Sequence, residues 1–349
     1  MSNTALPPLN PETRMLIDGQ LVPAASGKTY NNVNPADNSV AGVCADAGPE
    51  DMEVAIAAAR RAFDESDWST NHAFRAKCLR QLRDAIKAHA DELRYLMVAE
   101  VGAPLGLTYG PQTDIPISFI DWPIEYLEQF EWERELPTVN VVGVPSKRLV
   151  WKEAAGVVAA ITPWNFPLQI NLAKIIPALA AGCTVILKPA PDTPWTATFI
   201  GKMVAEHTDI PSGVFNVVTS QDPAVLGDML TGDPRIDVIS FTGSTGIGKH
   251  IMKRGADTVK KVFLELGGKS AHIILDDADV GFASFMCISV CFNAGQGCAL
   301  ATRMLVPHSL YDQAVETAKS VFESIKLGDP MSRDQIMGPL ANKRQQMRV

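Results

Sequence analysis

Residues 156–188 read GVVAAITPWNFPLQINLAKIIPALAAGCTVILK, and this stretch decides the fold. Its apolar runs at 157–161 and 184–187 are short and continuous, which is typical of strands buried on both faces. Between them, residues 167–181 begin with a proline and are mostly apolar, which predicts a helix. A strand, a helix and a second strand make a βαβ unit, so the sequence predicts that the two strands pair in parallel.

The same alternation continues toward the C-terminus. Further apolar runs predict strands at 215–218, 238–241 and 272–275, and the segments beside them predict helices at 193–207, 224–230 and 245–254. Repeated βα units with short apolar strands predict an α/β fold, in which a parallel sheet is covered by helices on both faces. The strand at 272–275 is expected to begin a second α/β region.

The N-terminal side is also predicted to be structured. Residues 16–22 place apolar side chains around Asp18-Gly19, which predicts a tight hairpin. Apolar residues at helical spacing predict one helix between 49 and 67 and one longer helix between 74 and 101. Further along, β-branched residues around Pro145-Ser146 predict a two-stranded excursion from the domain.

Charge and hydropathy exclude several classes of function. The 349 residues carry a net charge of −8 with scattered lysines and arginines, which argues against a nucleic-acid or anionic-membrane partner. No apolar run approaches the roughly 20 residues that cross a bilayer. The N-terminus lacks the basic flank and apolar core of a signal peptide. We therefore expect a cytoplasmic protein.

The cysteines fall into two groups. No CxxC pair occurs among the six, so we expect reduced thiols and no metal site. Cys298 follows a Gly-Gln-Gly turn, where it is reachable and where backbone N–H groups can favour a thiolate and receive an oxyanion. The other five are expected to be buried spacers: Cys44, Cys78, Cys183, Cys287 and Cys291.

Several polar or glycine-rich segments lie at the expected carboxyl ends of strands, where α/β sheets bind ligands. The turn FTGSTGIGK at 241–249 suits a pyrophosphate at a helix N-terminus, although an ordinary glycine-rich turn is an equal alternative. ITPWNFP at 161–167 and Lys188 end two neighbouring strands. Lys188 is placed to hold a ribose hydroxyl or a phosphate, although a lone lysine at a strand end is more often simply solvated, so its neighbours give it its weight. Glu265 lies between a leucine and two glycines, so we expect partial desolvation, which favours a general base.

The ordered motifs IxPWNFP, Lys-Pro, FTGSTxxG, ELGGKS and FNxGQxC together resemble those of the aldehyde dehydrogenase superfamily. The resemblance covers essentially the whole chain. It implies a parallel-sheet dinucleotide-binding domain, an α/β catalytic domain and a β arm used for oligomerisation. It also implies an oxidoreductase that converts an aldehyde to a carboxylic acid with NAD or NADP.

The resemblance assigns roles to individual residues. Cys298 aligns with the nucleophile, Glu265 with the general base, and Asn165 with the amide that stabilises the oxyanion. A thiohemiacetal and then a thioester would form on Cys298, and water activated by Glu265 would release the acid. Glu265 favours hydrolysis over transfer to coenzyme A. The implied cofactor contacts are Thr162 and Leu266, Trp164 as a wall, Lys188 on the ribose, and Gly243, Ser244 and Gly248 at the pyrophosphate turn.

Two departures from the family pattern leave questions open. Many NAD-preferring members carry an acidic residue three positions after the lysine, whereas this chain has Pro191 and then Asp192. We expect NAD with NADP possible, because either Asp192 substitutes or a 2′-phosphate is tolerated. Members also continue well beyond Gly338-Pro339-Leu340. We therefore expect that a C-terminal part is missing, that apolar faces of the catalytic domain are exposed, and that 1–349 alone is unstable or inactive.

The expected organisation follows from the resemblance. Residues 1–134 and 155–264 are expected to form the dinucleotide-binding domain, 135–154 the oligomerisation arm, and 265–349 an incomplete catalytic domain. A homo-oligomer, dimeric or tetrameric, is expected.

The aldehyde itself is left open by the sequence. Tyr109, Phe166 and Trp122 are expected to line the channel and to favour an apolar aldehyde slightly. Two alternative functions remain: an esterase that uses Cys298 and Glu265 without a cofactor, and a non-catalytic fragment.

Overall fold

The computed structural model describes residues 9–349. Residues 1–8 lie outside the described residues. The expectations for this stretch, that it belongs to the dinucleotide-binding domain and that it lacks a signal peptide, therefore concern residues that the structure does not describe. The described strands are β1 Met15–Ile17, β2 Gln20–Val22, β3 Thr29–Val33, β4 Val40–Ala45, β5 Glu133–Val141, β6 Val144–Trp151, β7 Val157–Ile161, β8 Thr184–Lys188, β9 Phe215–Val217, β10 Val238–Gly243, β11 Lys261–Leu266, β12 Ala271–Ile273 and β13 Arg303–Leu305. The described helices are α1 Pro49–Glu65, α2 His72–Ala88, α3 Ala90–Val101, α4 Leu105–Thr108, α5 Asp114–Ser118, α6 Asp121–Gln129, α7 Pro167–Ala180, α8 Trp195–His207, α9 Pro223–Gly232, α10 Thr245–Ala256, α11 Val280–Phe285, α12 Tyr311–Ser324 and α13 Lys343–Gln346.

A seven-stranded sheet forms the centre of the fold, in the order β11-β10-β7-β8-β9-β1-β2. The five strands from β11 to β9 pair in parallel, so the expected α/β fold with a parallel sheet is confirmed. The hairpin at Asp18-Gly19 also forms, with both residues at positive φ as a two-residue turn requires. It extends the sheet, because β1 pairs antiparallel with β9.

Helices cover both faces of this sheet, as the continuous apolar strands predicted. Val158 and Ala160 of β7 point into a core built with α2, α3, α7 and α8. The alternate residues, Val157 and Ala159, point into a second core built with α1, α9 and α10. Side chains of a strand alternate between the two faces, so each residue of β7 contributes to one core or the other.

Two local predictions are wrong. The helix expected between 74 and 101 is broken at His89, whose ring Nδ1 lies 2.8 Å from the carbonyl oxygen of Ala85 and caps the end of α2. The two-stranded excursion turns at Val142-Gly143, both at positive φ, and not at Pro145-Ser146. Pro145 instead lies in β6, opposite Asn140. Valine seldom adopts positive φ, so Val142 gives no sequence signal for a turn at this position.

Residues beyond β11 form a smaller α/β unit around the parallel pair β12–β13. The expectation of exposed apolar faces in this region is confirmed. Its exposed apolar side chains include Ile273, Leu275, Phe282, Leu305 and Leu327. None of the helices within residues 9–349 is both long and apolar enough to cross a membrane.

Candidate active site

The carboxyl ends of the parallel strands bring the predicted cofactor residues to one edge of the sheet. Ile161 at the end of β7 pairs with Lys188 of β8 and with Phe241 of β10. Glu265 of β11 lies opposite Thr242 of β10, and Leu266 lies opposite Gly243. Thr162, Lys188, Gly243, Ser244 and Leu266 therefore end adjacent strands or directly follow them.

Lys188 and Thr162 are buried polar groups at this edge. Lys188 is only 2% exposed. Burial lowers the pKa of Lys188 to about 8, although the charge of Asp222 opposes that shift. The Thr162 hydroxyl is also buried, with no partner in the described chain. Buried polar groups normally have partners, so these two side chains fit a site for ligand hydroxyls.

The turn after β10 presents a helix N-terminus. Ser244 caps α10, with its Oγ accepting a hydrogen bond from the backbone N–H of Ile247. The first residues of α10 are exposed, so their N–H groups are open to an anion such as a pyrophosphate. Gly248 lies on the buried side, and a Cβ there would lie 2.8 Å from Leu266 Cδ2. A side chain at this position would therefore require Leu266 to shift.

Asn165 connects the sheet edge to the cysteine loop. It lies in the turn between β7 and α7, and its Nδ2 donates to the carbonyl oxygen of Gln296 at 2.7 Å. Gln296 is two residues before Cys298. Gln296 is held in turn by Gly338–Ala341, because the backbone N–H of Ala341 donates to Gln296 Oε1 at 2.9 Å. The structure thus brings Asn165 and the Cys298 segment together across more than a hundred residues of sequence.

Cys298 is the one partly exposed cysteine in the described chain, as expected. Burial raises the pKa of Cys44 to about 12 and that of Cys78 to about 11. Burial also raises the pKa values of Cys183, Cys287 and Cys291. The expectation that these five are buried spacers is confirmed.

Glu265 differs from expectation. It was expected to be partly desolvated, but its side chain is exposed, because β11 is an edge strand whose Lys261, Phe263 and Glu265 face is uncovered. Burial lowers the pKa of Lys174 in α7 to about 8. The negative charge of Glu265 acts in the opposite direction, so the two side chains lie near each other. Lys174 Nζ donates to Ser240 Oγ at 2.9 Å.

The structure also places the residues on which cofactor choice and substrate were expected to depend. Asp192 accepts a hydrogen bond from Asn342 at 2.9 Å and pairs with Arg344 at 3.3 Å, so its carboxylate is already engaged. Tyr109 is exposed, with the guanidinium groups of Arg94 and Arg333 over its ring.

The remaining aromatic positions differ in burial. Trp164 and Phe166 are half-buried in the turn before α7. Trp122 is exposed on α6, stacked on Tyr126. No cluster of three or more potential metal ligands occurs within 9–349.

Comparison with known proteins identifies the family. The model of the aldehyde dehydrogenase family matches residues 21–349. The chain belongs to the aldehyde dehydrogenase family. It is therefore an NAD(P)-dependent oxidoreductase that oxidises aldehydes, as the motifs implied.

Individual relatives give the extent of this similarity. A 3-succinoylsemialdehyde-pyridine dehydrogenase from a Pseudomonas species is 39% identical over 95% of this chain and 68% of its own length. The NADP(+) succinate-semialdehyde dehydrogenase of Escherichia coli (strain K12) is 37% identical over 94% of this chain and 67% of its own. The structure of an aldehyde dehydrogenase C mutant from Pseudomonas syringae with NAD+ and octanal superposes with a TM-score of 0.90 at 32% identity, covering 97% of this chain and 68% of that one. The chain thus spans about two thirds of the length of these aldehyde dehydrogenases.

Some residues of the site were not predicted. Lys174 had a signal, since it is the only charged residue in α7, but its proximity to Glu265 depends on the pairing of the strands. Gln112 and Asn293 both donate to the carbonyl oxygen of Asn165, and neither was singled out. Asn293 lies inside the FNxGQxC motif, whereas Gln112 lies in a loop without periodicity.

Proposed function

We propose that this aldehyde dehydrogenase is of the hydrolytic type, with Cys298 as nucleophile, Asn165 as oxyanion donor and Glu265 as general base. The hydrogen bond from Asn165 Nδ2 to the Gln296 carbonyl oxygen, at 2.7 Å, is the observation that carries this proposal. It puts a neutral amide donor beside the cysteine loop. An amide donates to an oxyanion without competing for the proton, which is typically worth about 3 kcal/mol in such sites.

The residues divide the chemistry between them. The Cys298 thiolate attacks the aldehyde carbonyl, and the new C–S bond leaves a thiohemiacetal oxyanion that Asn165 and the Cys298 backbone N–H stabilise. Bound NAD or NADP supplies the hydride acceptor. Cys298 then carries the acyl group as a thioester. Glu265 takes a proton from water, the hydroxide adds to the thioester, and the carboxylic acid leaves as the thiolate is released.

The cofactor is proposed to bind along the carboxyl edge of the sheet. Lys188 and Thr162 would hold ribose hydroxyls, Gly243, Ser244 and the α10 N-terminus the pyrophosphate, and Trp164 one wall. Gly248 and Leu266 would shape the surface beneath it. Because Asp192 is engaged by Asn342 and Arg344, its carboxylate would repel a 2′-phosphate less than an unpaired carboxylate would. Use of both NAD and NADP is therefore proposed.

The remaining expectations stay predictions. The division into domains at 1–134 with 155–264, 135–154 and 265–349 is proposed. It is supported by the separate pairing of β5 with β6 and of β12 with β13. The β5–β6 arm exposes Val141, Val144 and Trp151, which suits a homo-oligomer contact. A cytoplasmic location stays a prediction.

Reduced cofactor production over a panel of aldehydes tests the proposal. NADH and NADPH should both appear with at least one aldehyde, and the Cys298→Ala variant should produce neither. Because relatives include semialdehyde dehydrogenases, and one neighbour binds octanal, the panel should contain carboxylate-bearing and alkyl aldehydes. Cofactor reduction by Cys298→Ala at the parent rate would contradict the assignment.

An esterase is the second candidate, because Cys298 is partly exposed and needs no cofactor to accept an acyl group. Ester turnover that equals aldehyde oxidation, with no effect of added dinucleotide, would favour this alternative.

A further inference from the structure

We propose that Gln112 and Asn293 are positioning residues that aim the amide of Asn165 at the oxyanion. The inference rests on the proposed role of Asn165. Gln112 Nε2 donates to the Asn165 carbonyl oxygen at 3.1 Å, and Asn293 Nδ2 donates to the same oxygen at 3.0 Å. A carbonyl oxygen has two lone pairs, so both of its acceptor directions are occupied. The peptide plane that follows Asn165 therefore has a defined orientation.

The side chain of Asn165 is constrained at its other end. Its Nδ2 has two hydrogens, and one is used on the Gln296 carbonyl oxygen at 2.7 Å. With the backbone held by Gln112 and Asn293, the direction of the second N–H is determined. That N–H remains for the oxyanion. We call Gln112, Asn165, Asn293 and Gln296 the amide network.

The amide network also closes on itself. Gln296 Nε2 donates to the Asn293 carbonyl oxygen at 2.9 Å, and the backbone N–H of Gln296 donates to the same oxygen at 3.1 Å. The segment leading to Cys298 is thus tied to the residue that orients Asn165. The same set of hydrogen bonds therefore positions both proposed oxyanion donors, the Asn165 amide and the Cys298 backbone N–H.

Gln112 has a cost that a structural role does not explain. Its side chain is fully buried, yet its Oε1 has no partner in the described chain. An unsatisfied buried carbonyl lowers the stability of the fold, so an apolar residue of the same shape would serve packing better. Asn293 is 2% exposed and has a positive φ of 50°, which asparagine adopts more readily than other residues with a side chain. Unsatisfied buried groups such as the Gln112 oxygen concentrate at functional sites.

Two reagents distinguish an effect on the orientation of the Asn165 amide from an effect on the accessibility of the Cys298 thiol. Acylation of Cys298 by p-nitrophenyl acetate passes through an oxyanion, whereas alkylation by iodoacetamide does not. Both reactions proceed without a dinucleotide and can be followed by the mass of the Cys298 peptide, because the other cysteines are buried. Gln112→Met keeps the size of the side chain and removes the donor. Gln129→Met, at an exposed glutamine of α6, is the matched control.

We expect Gln112→Met to lower the acylation rate about tenfold and to leave alkylation within about twofold of the parent. The melting temperature should stay unchanged or rise, because the unsatisfied oxygen is removed. Gln129→Met should change neither rate. Should Gln112→Met fold poorly, Asn293→Gly keeps the backbone conformation, removes the second donor and should give the same separation of the two rates.

A double-mutant comparison shows whether Gln112 acts through Asn165. Asn165→Ala should lower acylation by about a hundredfold, and adding Gln112→Met should lower it no further. An unchanged acylation rate in Gln112→Met would overturn the inference. So would an equal loss of acylation and alkylation, or a full tenfold loss in the Asn165→Ala background. Parent-like acylation by Asn165→Ala alone would instead contradict the proposed oxyanion donor.

Discussion

Two regions of this aldehyde dehydrogenase are held in different ways: the cofactor edge, which is the carboxyl edge of the sheet around Thr162 and Lys188, and the cysteine segment, which is the loop from Gln296 to Cys298. β7, which Thr162 directly follows, and β8, which ends at Lys188, are buried along nearly their full length between two cores. β11 alternates between exposed and half-buried positions, and β12 and β13 leave their outward residues exposed. The cofactor residues are therefore positioned by apolar packing, whereas Asn165 and the Cys298 loop are positioned by side-chain hydrogen bonds to backbone carbonyls.

This difference has a consequence for substitutions. Apolar packing places strand ends rigidly but tolerates no lost volume. A hydrogen-bonded loop depends on a few donors, so single polar changes there should affect chemistry more than folding.

The largest expected effect is on chemistry alone. Cys298→Ala should lower aldehyde oxidation by at least about a thousandfold, because no thiohemiacetal can form. NAD binding should be retained, since the cofactor edge lies on the packed sheet. A stopped assay of aldehyde oxidation checks the loss of turnover, and calorimetry checks that NAD affinity is retained. Loss of NAD affinity in Cys298→Ala would show that the two regions do not act separately.

The next largest effect is on stability. Ile186→Ala in β8 removes a fully buried side chain and should lower the free energy of unfolding by about 2–5 kcal/mol. Ile273→Ala in β12, where the side chain is 63% exposed, should lower it by less than about 0.5 kcal/mol. Urea unfolding of the pair measures the contrast directly. Equal losses would mean that β12 is as tightly packed as β8.

A smaller effect is expected where the two regions meet. Gly248→Ala would place a Cβ 2.8 Å from Leu266 Cδ2, so the Leu266 side chain beneath the proposed cofactor site would have to shift. We expect a loss of about 1 kcal/mol in stability and weaker NAD binding. Gly227→Ala in α9 is the control, because nothing lies within 4 Å of its added Cβ and it should be neutral or stabilising. A Gly248→Ala protein as stable as Gly227→Ala would contradict this account of Gly248.

The smallest effect concerns pH. Burial lowers the pKa of Lys188 to about 8, so the free protein carries the ammonium below that pH and a neutral amine above it. A charged donor binds hydroxyl and phosphate oxygens more strongly. Affinity for NAD should therefore fall roughly threefold as pH rises from 7 to 9. Lys188→Met should be weaker and flat with pH, while Lys77→Met, at an exposed lysine, should follow the parent profile.

Much of the fold could be predicted because local pattern and tertiary environment agree. The continuous apolar runs at 157–161 and 184–187 require burial on both faces, and only a parallel sheet between helices provides that. His89 and the Val142-Gly143 turn could not be predicted in this way. Both depend on where neighbouring carbonyls and strands lie, and a local pattern carries no such information.

The site shows the same division. Cys298, Glu265 and Asn165 stand in recognisable motifs, so their candidacy is readable from the chain. The exposure of Glu265 could not be predicted from the sequence, because it depends on which strand forms the edge of the sheet. The contacts of Asp192 with Asn342 and Arg344 could not be predicted either, since they join residues about 150 apart in the chain.

The sequence by itself determined the α/β class, the family and the residue types available for thiol chemistry, since periodicity and motifs are properties of the chain. Only the tertiary structure decided that Gln112 and Asn293 share the carbonyl oxygen of Asn165 and that Lys188 is buried. The reason is geometric. Hydrogen bonds and desolvation depend on distances across the folded molecule, and no local pattern encodes those distances.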